Sequence, residues 1–153
     1  LAQSLKCSPY VAKKYMTKYF ERFKGIKPYL DGVIENAKKT GYTTTLLGRK
    51  RYIPELLSSN YQVRSFGERA AMNMPLQGSA ADIIKLAMNA VYERLRDTNS
   101  HLILQIHDEL IVETRDDEVE KIENLLRECM ENAVRLRVPL TVDVAHGKSW
   151  IDC

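Results

Sequence analysis

The stretch from His101 to Thr114, HLILQIHDELIVET, constrains the fold of this chain more than any other. Leu102, Ile103, Leu104 and Ile106 form one short apolar run and Leu110, Ile111 and Val112 form another, with His107, Asp108 and Glu109 between them. Runs this short, rich in branched side chains and divided by charge, read as the two strands of a hairpin. Two-residue hairpin turns favour Asn-Gly or a similar pair, because the preferred types need positive φ, yet here the expected tip is Asp-Glu. Adjacent carboxylates about 5 Å apart repel by about 1 kcal/mol even in water, so the tip calls for a compensating charge.

Elsewhere the apolar residues recur at helical spacing. Ser8-Pro9 reads as an N-cap and first helical residue, followed by Val11, Ala12, Tyr15, Met16, Tyr19, Phe20 and Phe23. A second helix is expected from near Pro28 to just before Gly41. Residues 41–60 turn to Thr, Gly and Pro and predict a short extended segment with a loop bearing Arg49, Lys50 and Arg51. Helical spacing returns from about Arg64 to Asn73, and Pro75 then imposes a kink or restart. Beyond Gly78 the pattern Ile83, Ala87, Ala90, Val91, Arg94 predicts a long helix to about Asp97. After the hairpin, Val119, Ile122, Leu126, Cys129 and Ala133 mark another helix, and Leu140 to Val144 reads as a final strand. The order predicts an α+β fold, with three or more strands covered on one side by long helices.

Charge divides the chain. Residues 1–77 carry 14 Lys and Arg against 5 Asp and Glu, a net +9, and residues 78–153 carry 9 against 15, a net −6. A basic half suits a polyanion, since neutralised phosphates release counterions, whereas an acidic half repels one unless cations intervene. Two solvated helix faces of opposite sign would account for the counts equally well. No apolar run approaches the roughly 18 to 20 residues of a membrane span, no signal layout opens the chain, and a soluble cytoplasmic protein is expected. Cys7, Cys129 and Cys153 have neither metal-ligand nor disulfide-framework spacing and read as reduced thiols. Leu1 starts in mid-pattern, so the chain is expected to be part of something longer.

The acidic hairpin suits a hard cation. Mg2+ binds through one or two carboxylates plus substrate phosphate oxygens, and a pair of such ions can clamp both oxygens of a phosphoryl transfer. Neighbouring strand residues point to opposite faces, so Asp108 and Glu109 are not expected to be equivalent ligands, and Asp108 is the favoured one.

HDE between two apolar strands resembles the third conserved motif of the A-family DNA polymerases. GYTTTLLGRKRYIPEL followed by RSFGERAAMNMPLQGSAADIIKLAM is similar to that family's passage from fingers to palm, and VPLTVDVAHGKSW resembles its closing strand. The resemblance covers essentially the whole chain, with several motifs in the right order. It implies that residues 1–65 are the C-terminal part of a helical, basic fingers subdomain and 66–153 the C-terminal part of a palm with the acidic hairpin. Asp108 would be one of two aspartates holding two catalytic Mg2+ ions, with Glu109 as an auxiliary carboxylate and His107 near the primer 3′ end. Arg69, Asn73 and Gln77 would contact the primer–template near the terminal base pair. The parent would be a DNA-directed DNA polymerase of replication and repair, a nucleoid-associated monomer taking primer–template DNA and deoxynucleoside triphosphates.

Physics favours the DNA contacts independently. The minor groove offers purine N3 and pyrimidine O2 acceptors at every correct pair, so amide and guanidinium donors can sense pairing geometry without reading sequence. Arg69, Asn73 and Gln77 recur every four residues, along one helical face whose geometry Pro75 interrupts. The family's strand with the other metal-binding aspartate and its nucleotide-binding helix have no counterpart in these residues, so the chain by itself is expected to be inactive. The alternative is a non-catalytic nucleic-acid-binding module built on the basic half.

Overall fold

A computed structural model describes residues 1–152; Cys153, one of the three expected thiols, lies outside the described residues. Cys7 and Cys129 are free thiols. The chain divides into two compact units, one ending at Leu76 and the next starting at Gln77. That division coincides with the change in charge sign.

In the first unit, helix α1 (Pro9–Arg22) starts where the sequence places it: the Ser8 hydroxyl accepts from the Val11 N–H at 3.3 Å, with Pro9 at the first helical position. Helix α2 (Ile26–Thr40) stops at Gly41, whose φ of +80° is the left-handed conformation that a helix end favours and whose N–H returns to the Ala37 carbonyl. The extended segment is a small hairpin of β1 (Tyr42–Thr44) and β2 (Lys50–Tyr52), antiparallel with Thr43 opposite Arg51. Lys50 and Arg51 therefore sit on a strand, and Arg49 alone of the expected basic trio remains in the connecting loop.

A 3-10 turn (Pro54–Leu57) follows, then helix α3 (Tyr61–Asn73), capped by Asn60, whose Oδ1 accepts from the N–H groups of Gln62 and Val63. Ala37, Ile53, Leu56, Ala70 and Ala71 form the core of this unit. The Lys38–Glu68 ion pair, 2.6 Å, ties α2 to α3 at its edge. Of the apolar stripe on α1 only Ala12 is buried; Tyr19, Phe20 and Phe23 line an open groove with Ile26, Tyr29 and Leu30.

Pro75 produces neither a clean break nor a simple kink. It sits in a π-helical turn (Met74–Gly78), where the widened ladder accommodates a residue that has no N–H to donate. Helix α4 (Ser79–Leu95) continues from it in the second unit. Val91 and Leu95 on α4 pack against Ile122, Leu125 and Cys129 on α5 (Val119–Glu131), with Leu102, Leu110 and Val112 of the second hairpin filling in beside them. Strands β3 (His101–Ile106) and β4 (Glu109–Glu113) pair antiparallel. Ser100, 1% exposed, closes the base of that hairpin through hydroxyl bonds to Thr114, 2.8 Å, and Glu118, 3.2 Å.

The α+β class holds, with a reduced sheet content. The described residues contain two two-stranded sheets, not one sheet of three or more strands. Residues 140–144, expected as a final strand, pair with no strand. A strand is defined by its neighbour, and here the Val142 N–H instead donates to the Glu131 carboxylate at 3.1 Å. His146 to Glu123, 2.7 Å, and Lys148 to Asp116, 2.8 Å, hold the rest of this segment to the second unit.

Candidate catalytic hairpin

Register decides what stands at the acidic tip. At the open end of the second hairpin His101 faces Glu113 and Leu102 faces Val112. Carried unchanged to the other end, this register would set Ile106 against Asp108 and leave one residue to make the turn. A bulge at Ile103 advances β3 by one residue, so that Leu104 faces Ile111 and Ile106 faces Glu109. The turn is therefore His107-Asp108, and the expected Asp-Glu tip is corrected: Glu109 is the first residue of β4.

His107 takes the positive φ that the turn requires, +52°, and Lys6 is the only other described non-glycine residue to do so. Asp108 keeps negative φ. Positive φ at the first central position alone is the type II′ pattern. The Gln105 side-chain amide N–H donates to the His107 carbonyl at 2.6 Å and bridges strand and turn. Sequence reasoning placed Gln105 in the motif without giving it a role; a non-glycine pair in a two-residue turn was the signal that something must hold the backbone.

His107, Asp108 and Glu109 are all exposed. Neither Asp108 nor Glu109 is paired with a cation among the described residues, in contrast to Asp116, Asp117 and Glu128 of the same unit. At Asp117 the Arg115 guanidinium, donating at 2.9 Å, holds the carboxyl below its ordinary range. Two neighbouring carboxylates left open to solvent fit the donor set of a hard cation that completes its shell with phosphate oxygens and water. They do not make a closed site: no group of three or more His, Cys, Asp or Glu among the described residues could hold a metal.

Arg69 and Asn73 lie four residues apart on α3, both exposed, and the Arg69 guanidinium donates to the Ser65 hydroxyl at 2.9 Å. Gln77, also exposed, is in the π-helical turn, so the four-residue spacing that joins it to Asn73 in the sequence is not regular α-helical spacing in the fold. Arg69 and Asn73 belong to the first unit, and Gln77, His107, Asp108 and Glu109 to the second. No helix among the described residues is long and apolar enough to cross a membrane.

Comparison with known proteins places these elements in one family. The model of DNA polymerase family A matches residues 1–152. DNA polymerase I of Geobacillus stearothermophilus is 50% identical over 154 residues, covering 99% of this chain and 18% of that protein. DNA polymerase I of Mycobacterium leprae is 53% identical over 152 residues, covering 98% of this chain and 17% of that protein. Among solved structures, the POL domain of Pol1 from M. smegmatis, in complex with DNA primer-template and dNTP, superimposes with a TM-score of 0.94 at 53% identity; the match covers 98% of this chain and 27% of that one. The chain thus spans less than a fifth of the length of these full-length relatives, and along nearly all of its own length it belongs to DNA polymerase family A.

Proposed function

We propose that this chain is the fingers-to-palm portion of a DNA-directed DNA polymerase, and that the whole enzyme joins a deoxynucleoside triphosphate to a primer 3′-hydroxyl under the direction of a template. The 3′-oxygen attacks the α-phosphorus, the bond from that phosphorus to the bridging oxygen breaks, and pyrophosphate leaves. One observation carries the reading: an exposed aspartate without a cationic partner stands at the tip of a braced hairpin, in a chain that matches the family over residues 1–152.

In this reading Asp108 is the primary carboxylate for catalytic metal and Glu109 the auxiliary one, on the first residue of the strand. Two Mg2+ ions, when bound, offset phosphate charge and lower the pKa of the attacking hydroxyl. His107 lies beside the primer terminus. Arg69, Asn73 and Gln77 offer donors to the acceptors that every correct base pair presents in the minor groove, which supports indifference to sequence. A basic first unit suits the DNA backbone, and the acidic second unit approaches the same polyanion with cations between them. The enzyme acts as a monomer on primer–template DNA near the nucleoid. In this reading the second metal-binding aspartate is not one of these 153 residues, and the chain does not polymerise alone.

Primer extension by the full-length polymerase carrying Asp108→Ala tests the assignment. Extension should fall by about three orders of magnitude or more, as for loss of a principal electrostatic group at a reacting centre, with primer–template affinity little changed. Unimpaired extension overturns it.

A further inference from the structure

We infer that Gln105 is a positioning residue for Asp108, acting through the backbone of His107; this rests on the reading of Asp108 as a metal-binding carboxylate. The argument is conformational. The two primed turns that can close a two-residue hairpin, I′ and II′, both have positive φ at the first central residue and differ in the orientation of the peptide between the two central residues. In a I′ turn the second residue also has positive φ, and in a II′ turn it does not. That central peptide is the one joining His107 to Asp108, and its orientation fixes which way the Asp108 side chain leaves the tip.

Neither residue is glycine, so local preference selects neither turn. The Gln105 amide settles the matter by donating to the His107 carbonyl, 2.6 Å away, which is the oxygen of that same peptide. Held there, the peptide cannot flip and Asp108 keeps negative φ after His107 at φ +52°. The bulge at Ile103 contributes as well, because it creates the register in which the turn contains two residues and Gln105 stands opposite Leu110, one pair behind the turn. An aspartate on a freely flipping turn would spend part of its time aimed elsewhere, and metal would bind only to the fraction correctly poised.

The test is a double-mutant cycle in the full-length polymerase with primer–template DNA, deoxynucleoside triphosphates and varied Mg2+. Gln105→Met keeps the side-chain length and removes the donor; Gln105→Glu keeps the shape and replaces the donor with an acceptor. Each should lower kcat by about tenfold and raise the Mg2+ concentration for half-maximal extension, with primer–template Kd unchanged. His107→Gly itself favours the II′ turn, which takes glycine at its first central position, and has its own lower baseline, since it also removes the imidazole. Measured from that baseline, Gln105→Met should alter the Mg2+ requirement by less than twofold, because glycine lets the turn find metal-binding geometry unaided.

Full activity of both Gln105 variants overturns the inference, as does an equal Mg2+ effect with and without His107→Gly, or a change confined to DNA affinity. Asp108→Ala run alongside separates this from the parent reading. If that variant extends primers normally, the site assignment fails; if it is inactive while both Gln105 variants are normal, only the positioning role fails.

Discussion

A Cβ on Gly67 would stand 3.0 Å from the backbone nitrogen of Leu56 and 3.1 Å from the carbonyl carbon of Glu55. Helix α3 thus rests directly on the backbone of the 3-10 turn, and Leu56 on that turn reaches the core beside Ala70 and Ala71. Alanine at an unobstructed helical site gains up to about 1 kcal/mol over glycine. Overpacking costs about 1–3 kcal/mol, and here the obstruction is backbone, which cannot swing aside. Gly67→Ala should therefore destabilise by about 1 kcal/mol, and Gly67→Val by about 3, in urea denaturation. A stabilised alanine variant would show that the turn yields.

In the second unit, Ile122 is 2% exposed and packs among Val91, Leu95, Leu125 and Cys129. Truncating a buried isoleucine to alanine costs about 2–5 kcal/mol, and to valine about 0.5–1.5. Because Leu102, Leu110 and Val112 of the β3–β4 hairpin pack on the same cluster, Ile122→Ala should also speed amide hydrogen exchange in β3 and β4. Exchange unchanged in the hairpin would mean that its strands do not depend on this core.

Much of this architecture was legible in local chemistry. Ser8-Pro9 and Gly41 marked helix ends because capping and positive φ are properties of a few adjacent residues. The β3–β4 hairpin was legible from two apolar runs, and its turn from the charged residues between them. What escaped was set by register and partners. The bulge at Ile103 moves the turn by one residue and leaves no trace in the alternation of apolar side chains, already continuous from Leu102 to Leu104. Residues 140–144 alternate as a strand does, but pairing depends on what lies alongside, and Glu131 takes the Val142 N–H. Pro75 announced an irregularity without specifying that a π-helical turn would absorb it.

The pH response of Asp117 follows from its partner. Arg115 donates to it through Nε and Nη2, at 2.9 and 3.2 Å, and lowers its carboxyl from the ordinary aspartate value. A carboxyl depressed in the folded state contributes stability that is fully present above its unfolded pKa and is lost as pH falls through the folded value. Both side chains are well exposed, so the contribution is screened and small. A carbon-13 titration should show Asp117 protonating below the ordinary aspartate range, and Arg115→Ala should return it to that range. An Asp117 titration that is the same with and without Arg115 would rule out the pairing in solution.

Asn73 and Gln77 allow the minor-groove reading to be tested apart from metal binding. Both are exposed and uncharged, so alanine substitution removes hydrogen-bond donors without altering the net charge that draws in the DNA backbone. The salt dependence of primer–template binding should thus keep its slope in Asn73→Ala and Gln77→Ala, whereas Arg69→Ala should reduce it by about one phosphate contact. Extension from a matched terminus should fall about tenfold or more in the amide variants, the loss expected when a well-placed donor worth about 1–3 kcal/mol is removed. Extension from a mispaired terminus, whose acceptors are already displaced, should fall less. Equal losses on matched and mispaired primers would mean that these amides support the fold near Pro75 and do not sense the base pair.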